Sequence, residues 1–189
     1  RAYLHAFRLR KLGIDTPEAI AFVETRRHGV LHDSYFVSRC SDFRPMRPVT
    51  EQFAQTRQGA DILDALASFL LLMHDSGILH NDLNISNILY DGDTDGQYRF
   101  QVIDTNRMSF NHTLSMRQRL DNLRRLSCPT PAYLYILEQY ARRRNADTES
   151  VQLEGAIMRL VFEMRQRLKQ GIKSALNRFR MNTLFRKVP

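Results

Sequence analysis

The segment from His80 to Leu89 carries polar side chains at intervals that could support chemistry, and a carboxylate follows it at Asp104. Asn87 lies five positions after Asp82, and Asp104 ends the next apolar run. Transfer of a phosphoryl group from ATP needs a carboxylate that orients the attacking hydroxyl and accepts its proton. It also needs Mg²⁺, a hard cation that prefers oxygen ligands and keeps several waters. This spacing therefore predicts Asp82 as the base, and Asn87 with Asp104 as the magnesium ligands.

Each of these residues has a common structural explanation when it is taken alone. Asp82 could cap a helix or form a turn, Asn87 could be an amide at a strand edge, and Asp104 could form a turn. We interpret His80 as a structural histidine that pins the loop by hydrogen bonds to the backbone near Asp104, with no role in proton transfer. The residues together are hard to obtain by accident, and so we favour the catalytic-loop hypothesis.

Hydrophobic periodicity and glycine positions predict the elements that hold this loop. Apolar residues recur at three- and four-residue steps from Thr50 to Ser76, which predicts a buried helix that ends at Gly77 and leads into the loop. Two β-rich runs, 87–90 and 98–103, predict a hairpin. That hairpin would bring the two magnesium ligands to one place.

The residues before the long helix predict a smaller α/β unit. The pattern of Arg1 to Leu12 indicates an amphipathic helix closed by Gly13. The β-rich runs 19–24 and 34–38 indicate a second hairpin, because a polar stretch that contains a glycine separates them. The proline-containing stretch 41–48 indicates a loop, which we interpret as a hinge between two lobes.

The C-terminal part is predicted to be helical at 116–126, 131–144 and about 151–179. In the last helix, an apolar stripe with helical spacing consists of Ile157, Val161, Met164, Leu168, Ile172, Leu176 and Phe179. Arginine and lysine residues cover the rest of this helix. We favour a helix that packs on the core with a solvated basic face. The alternative is that the basic helix lies on an anionic membrane surface.

Composition limits the classes of protein that are compatible with this chain. Its 189 residues, 43% hydrophobic and 25% charged, predict one globular domain. Phe69 to Met73, one of the longer purely apolar runs, is far shorter than the roughly 20 residues that cross a bilayer. No secretory signal pattern opens the sequence. Cys40 and Cys128 belong to no metal-binding cluster, and we interpret them as reduced thiols of a cytoplasmic protein.

The net charge of +8 predicts an anionic partner, which could be phospholipid, phosphorylated glycolipid, nucleotide or nucleic acid. We expect no nucleic-acid binding, because no DNA-binding motif or basic patch interleaved with aromatic residues accompanies the charge.

The pattern H-x-D-L-N-x-x-N-I-L at 80–89 resembles the Kdo/WaaP family of lipopolysaccharide-core kinases. Residues 12–18 are similar to the G-I/V-x-T-P element of that family, and 103–107 resemble its metal-aspartate segment. The resemblance extends from about Arg1 to Leu126. It implies an α+β, protein-kinase-like fold with a truncated N-lobe. Residues 1–40 would be the end of helix C, a short β-hairpin and the hinge, and residues 41–189 would be a mainly helical C-lobe.

By this resemblance, the protein is expected to phosphorylate a sugar hydroxyl on Kdo or heptose of the lipopolysaccharide core. It would use ATP and Mg²⁺ and act in the cytoplasm or as a peripheral protein at the inner face of the inner membrane. Asn84 would be a catalytic residue, at the position where protein kinases place a lysine on the γ-phosphate, which argues against a protein kinase. The resemblance also implies that the strand and hinge at Tyr35, Phe36, Val37 and Ser38 contact adenine through backbone groups.

Some kinase elements do not occur in this sequence. It contains no glycine-rich phosphate loop and no strand-three lysine, and no acidic residue occurs from Arg1 to Ile14. We expect these parts upstream, and we expect this stretch alone to bind ATP poorly. Two other functions stay open. One is a pseudokinase or binding module on an anionic membrane. The other is an aminoglycoside or choline-type small-molecule kinase, whose loops share H-x-D-x-x-x-x-N.

Overall fold

The computed structural model describes residues 1–92 and 97–185, with side chains described as far as Ser174. The helices are α1 (Ala2–Lys11), α2 (Arg47–Gln52), α3 (Arg57–Asp75), α4 (Met116–Leu123), α5 (Thr130–Arg143) and α6 (Thr148–Phe185). The strands are β1 (Ala19–Arg27), β2 (Val30–Ser38), β3 (Arg44–Pro45), β4 (Ile78–His80), β5 (Ile88–Gly92), β6 (Tyr98–Val102) and β7 (Met108–Phe110). Single 3-10 turns cover Phe53–Gln55, Ile85–Asn87 and Thr105–Arg107.

The N-terminal helix and hairpin form as the sequence predicts. Helix α1 is followed by Gly13 at φ +76°, a left-handed conformation that favours glycine. Strands β1 and β2 pair antiparallel, and both residues of their connection, His28 and Gly29, have positive φ. This is the backbone that a tight hairpin requires. The ring of Tyr3 on α1 lies 5.2 Å from that of Phe22 on β1, so the helix packs on the hairpin.

The prediction of one continuous helix from Thr50 to Ser76 is wrong. The chain forms α2, a 3-10 turn and then α3, with Thr56 in an extended conformation between the last two. The Oγ1 of Thr56 accepts a hydrogen bond from Gly59 N at 3.0 Å, and so this side chain caps a new helix. Gly59 lies so close to the backbone of Phe53 that a Cβ on residue 59 would be 2.7 Å from the Cα of Phe53. The break is therefore built into the local sequence.

Helix α3 forms the centre of the core and delivers the chain to the candidate loop. It buries an apolar face that includes Leu63, Leu66, Leu70 and Met73, and it packs mainly on α5. It ends before Gly77, which has φ +73° and confirms the predicted stop.

Strands β5 and β6 pair antiparallel and confirm the second predicted hairpin, with Ile88 opposite Val102. A further antiparallel pair, β4 with β7, was not predicted, and it places His80 opposite Met108.

The last helix differs from the interpretation that we favoured. Over the part of α6 whose side chains are described, the first turns contact α4 and α5, through a face that includes the buried Val151 and the partly buried Met158. The apolar stripe is exposed at Ile157, Val161, Met164, Leu168 and Ile172. Core packing of the stripe was therefore the wrong interpretation over these residues, because α4 and α5 occupy another face of the helix. The side chains of Leu176 and Phe179 lie outside the described part.

Within the described residues, no helix is both long enough and apolar enough to cross a membrane. Cys128 is buried and Cys40 is exposed, and neither forms a disulfide. Burial raises the pKa of the Cys128 thiol to about 11.

Candidate active site

The loop between β4 and β5 is held in shape by a hydrogen bond between the backbone of Asp82 and the side-chain amide of Asn87. The carbonyl of Asp82 accepts hydrogen bonds from Asn84 N at 2.7 Å and from the side-chain Nδ2 of Asn87 at 2.9 Å. Asn87 N also donates to Asn84 O at 2.9 Å, which closes the 3-10 turn. The spacing of five residues between Asp82 and Asn87 thus has a structural cause, because the side-chain amide of Asn87 closes the loop onto the backbone carbonyl of Asp82.

His80 connects this loop to the segment that precedes Asp104. Its Nδ1 accepts a hydrogen bond from Asp82 N at 3.2 Å, so the proton of a neutral ring is on Nε2. That Nε2 donates to the carbonyl of Ile103 at 2.9 Å. Burial lowers the pKa of His80, although the bond to Ile103 and the carboxylates of Asp104 and Asp82 oppose the shift. The predicted structural role of His80 near Asp104 is confirmed.

Asp104 follows the hairpin in an unusual backbone conformation. Ile103 N donates to Asn87 O at 2.9 Å, which continues the pairing of β5 and β6 to the residue before Asp104. Asp104 has φ +54° and ψ +50°, a left-handed conformation that costs a non-glycine residue free energy and is frequent at functional sites. Its side chain is exposed. The fold therefore brings Asp82, Asn87 and Asp104 around one histidine, as their spacing predicts.

The donor set at this place fits Mg²⁺. The Nδ2 of Asn87 is directed to Asp82 O, which leaves the amide oxygen available as a ligand. The carboxylate of Asp104 does not cap the 3-10 turn that follows it. Within the described residues, no cluster of three or more His, Cys, Asp or Glu side chains could hold a metal ion. One carboxylate and one amide oxygen are a small protein contribution, which suits a cation that also binds phosphate oxygens and water.

The side chains of Asp82 and Asn84, both predicted to be catalytic, have contacts that the sequence did not reveal. The Oδ2 of Asp82 lies 3.4 Å from Arg107 Nη1, in a pair whose side chains are 45% and 68% exposed. An exposed pair of this kind contributes little stability. The Oδ1 of Asn84 accepts hydrogen bonds from Ser86 N at 3.1 Å and from the hydroxyl of Ser127. Asn84 thus ties the loop to the connection between α4 and α5.

Comparison with known proteins identifies the family. The model of the lipopolysaccharide kinase (Kdo/WaaP) family matches residues 4–143. The chain belongs to this family. No curated protein matches the sequence. Among solved structures, the chain is similar to "WaaP in complex with acyl carrier protein", with a TM-score of 0.62 and 20% identity over 89% of this chain and 75% of that one. This likeness is one of fold and fits a kinase-like architecture, and the family match extends beyond the Leu126 boundary that the sequence predicted.

In this member of the lipopolysaccharide kinase family, a buried polar network contacts the start of the candidate loop. The Nδ2 of Asn122 on α4 donates to the carbonyl of His80 at 2.8 Å. The Oδ1 of Asn122 lies 3.1 Å from His74 Nε2, and His74 Nδ1 lies 2.9 Å from the hydroxyl of Tyr140. Arg119 Nη1 donates to the same hydroxyl at 3.1 Å. Sequence reasoning missed Asn122, because nothing in its local pattern distinguishes it from an exposed helical asparagine.

Helix α1 contacts the segment after Asp104. The Nδ1 of His5 lies 2.7 Å from Thr105 O, and the hydroxyl of Thr105 donates to Ala2 O at 3.4 Å. Beside these contacts, α1 and the β1–β2 hairpin enclose a cavity of about 600 Å³. Tyr35 and Phe36 line this cavity together with Asn106.

Val37 and Ser38 are not among the residues that line this cavity. Contact between the backbone of Tyr35, Phe36, Val37 or Ser38 and adenine stays a prediction.

Proposed function

We propose that this protein transfers the γ-phosphoryl group of ATP to a sugar hydroxyl of the lipopolysaccharide core, on a Kdo or a heptose. One observation carries the proposal: hydrogen bonds among Asp82, Asn87, Ile103 and His80 hold the loop that carries Asp82 and Asn87 against the segment that leads into Asp104. Family membership supports the reaction type. The choice between Kdo and heptose is the finer part of the proposal.

In the proposed reaction, the acceptor oxygen attacks the γ-phosphorus, and the bond from phosphorus to the ADP oxygen breaks. The carboxylate of Asp82 takes the proton of the acceptor hydroxyl, for which its partly exposed position leaves access. Mg²⁺, when bound, neutralises charge on the phosphate oxygens. Asn87 and Asp104 would hold it. The neutral ring of His80 keeps Asp82 and the Asp104 segment in a fixed relative position and moves no proton itself.

The other parts of the proposal concern binding. Asn84 is proposed as a catalytic residue that positions the loop, since its side chain contacts Ser127. The segment Tyr35 to Ser38 is proposed to contact adenine, with residues 1–40 as part of the N-lobe and hinge and residues 41–189 as the C-lobe. The proposed location is the cytoplasm, at the inner face of the inner membrane, where a lipid-linked acceptor would be accessible. The positive net charge suits a phosphorylated glycolipid and a nucleotide.

The test is phosphate transfer from radiolabelled ATP to core glycolipids that carry Kdo alone or Kdo with heptose, measured with the full-length protein. Asp82→Asn and Asp104→Asn should each lower kcat at least about a hundredfold, the range expected for a general base or a charge-stabilising ligand. Asp61→Asn, an exposed position on α3, is the matched control and should keep wild-type kcat. Wild-type turnover by a folded Asp82 or Asp104 variant would contradict the assigned roles.

A further inference from the structure

Helix α6 extends beyond the body of the protein with its apolar side chains uncovered. Every residue from Met164 to Ser174 is exposed, including Met164, Leu168 and Ile172, which are 55%, 64% and 62% exposed. With Ile157 and Val161 they form one surface, which we call the α6 stripe. At about 1.5 Å per residue, its span from residue 157 to residue 172 is roughly 22 Å. A contiguous exposed apolar surface of this kind indicates an interaction site.

The stripe lies beside the face of α6 that packs on the body of the protein. A helix rotates by about 100° per residue, so the residues that pack on α4 and α5 can be compared with those of the stripe. Met158 and Phe162, which lie toward the body, are rotated by roughly 80° and 120° from Leu168, the angular centre of the stripe. Arg124 and Arg125 of the α4–α5 region lie over the ring of Phe162, at 5.0 Å and 5.4 Å from its centre. Packing of α6 on the body of the protein therefore does not cover the stripe.

After Glu163, every charged residue of α6 is an arginine or a lysine. Arg165 and Arg167 follow Met164 on opposite sides of the helix and flank the stripe, and Lys169 and Lys173 complete the basic surface. No aspartate or glutamate occurs in the sequence after Glu163. Glu163 itself is paired with Arg159 at 2.7 Å. An apolar stripe between arginines is the arrangement of helices that lie in the interface of an anionic membrane.

The spacing of the stripe does not match a left-handed coiled coil between two copies of this helix. Its five residues follow one another at steps of four, three, four and four residues. A left-handed coiled coil needs a mean step of about 3.5 residues, and this stripe has a longer one. At about 100° per residue, the five side chains spread over roughly 80° of the helix surface, which a flat partner can contact. The positive charges would also repel each other across a symmetric pair.

We propose that the α6 stripe, flanked by Arg165 and Arg167, docks this protein on the surface of an anionic phospholipid membrane. The docked helix would lie close to the active site, because Arg159 Nη2 donates to Cys128 O at 2.6 Å and the adjacent Ser127 contacts Asn84. Docking through α6 thus places the catalytic loop near the interface that holds a lipid-linked acceptor. This last step rests on the proposed function, whereas the docking itself does not.

The experiment measures co-sedimentation of the full-length protein with vesicles of pure phosphatidylcholine and with vesicles of phosphatidylcholine mixed with phosphatidylglycerol. We expect binding to the mixed vesicles only, weakened by added salt. The charge variant Arg165→Gln with Arg167→Gln should bind about thirtyfold more weakly, because each basic residue near an anionic surface contributes roughly a factor of five.

The stripe variant Leu168→Gln with Ile172→Gln should lose at least about tenfold in affinity, because it removes two apolar side chains from the interface. The matched control is Gln166→Ala with Gln170→Ala, two exposed polar positions of the same helix off the stripe, which should bind as the wild type does. Far-UV circular dichroism should be the same for all variants, since every substituted residue is exposed.

Three results would overturn the proposal: no binding of the wild type to mixed vesicles, equal binding by the stripe variant and the control, or equal binding to neutral vesicles. A wild-type dimer that the stripe variant converts to a monomer, without vesicle binding, would instead assign the stripe to a second copy. Binding of an acidic protein in place of vesicles would assign it to a protein partner. Kinase activity on a soluble core oligosaccharide does not depend on docking, and so failure of the proposed function would be recognised separately.

Discussion

Acidification should destabilise this protein through the buried His74. His74 is fully buried between α3, α4 and α5, with Nε2 lying 3.1 Å from Asn122 Oδ1 and Nδ1 lying 2.9 Å from the hydroxyl of Tyr140. Because Asn122 offers an oxygen, Nε2 carries the proton of the neutral ring, and Nδ1 accepts from Tyr140. Burial is the main cause that lowers the pKa of His74 to about 4, and the nearby Arg119 acts in the same direction.

The size of the effect follows from the difference in proton affinity between the folded and unfolded states. An unfolded histidine ionises near pH 6.5, whereas folded His74 does so only near pH 4. Between these values the unfolded chain binds a proton that the folded protein does not. The stability that depends on neutral His74 is therefore complete above about pH 6.5 and is lost as the pH falls toward 4. At about 1.4 kcal/mol per pKa unit, the loss is about 3 kcal/mol.

The assay is urea unfolding of the wild type and of His74→Gln, followed by far-UV circular dichroism from about pH 7 to about pH 4. The variant should be less stable at neutral pH, since it loses the fitted hydrogen bonds. The difference between the two free energies of unfolding should shrink by about 3 kcal/mol toward acid pH. His112→Gln, at an exposed position, should follow the wild-type curve throughout. A difference between wild type and His74→Gln that does not change with pH would refute the reasoning.

Two further predictions concern the support of the catalytic loop and the backbone that leads into it. Asn122→Leu should lower the free energy of unfolding by about 2 to 4 kcal/mol and also lower kcat, because it leaves the buried carbonyl of His80 without its donor. Urea unfolding and the kinase assay check these two effects. A loss of stability below about 1 kcal/mol would contradict the prediction. Gly77→Ala should destabilise by more than about 2 kcal/mol, because φ is +73° and the new Cβ would lie 1.9 Å from Asn111 O. Gly171→Ala, in an open part of α6, should instead raise stability by up to about 1 kcal/mol, and the opposite shifts in thermal unfolding distinguish the two glycines.

Much of the candidate site could be predicted because its contacts are local in sequence. The spacing from Asp82 to Asn87 reflects a hydrogen bond across five residues, and the strands that bring Asp104 back form a single hairpin. Even the bond from His80 to the carbonyl of Ile103 spans only this hairpin. Short loops leave few alternative arrangements, so residue types and spacing restrict the geometry. The chemical roles of these residues stay predictions until the kinase assay is done.

The sequence by itself determined most of the helix and hairpin order, the spacing of the candidate loop and the family, since periodicity, glycine positions and a spaced motif are properties of neighbouring residues. Only the tertiary structure decided that Asn122 holds the loop, that Ser127 contacts Asn84 and that the stripe of α6 is uncovered. The physical reason is that an amphipathic pattern states which face of a helix is apolar but not whether another element reaches it. In α6, packing against α4 and α5 uses one face of the first turns and leaves the stripe exposed.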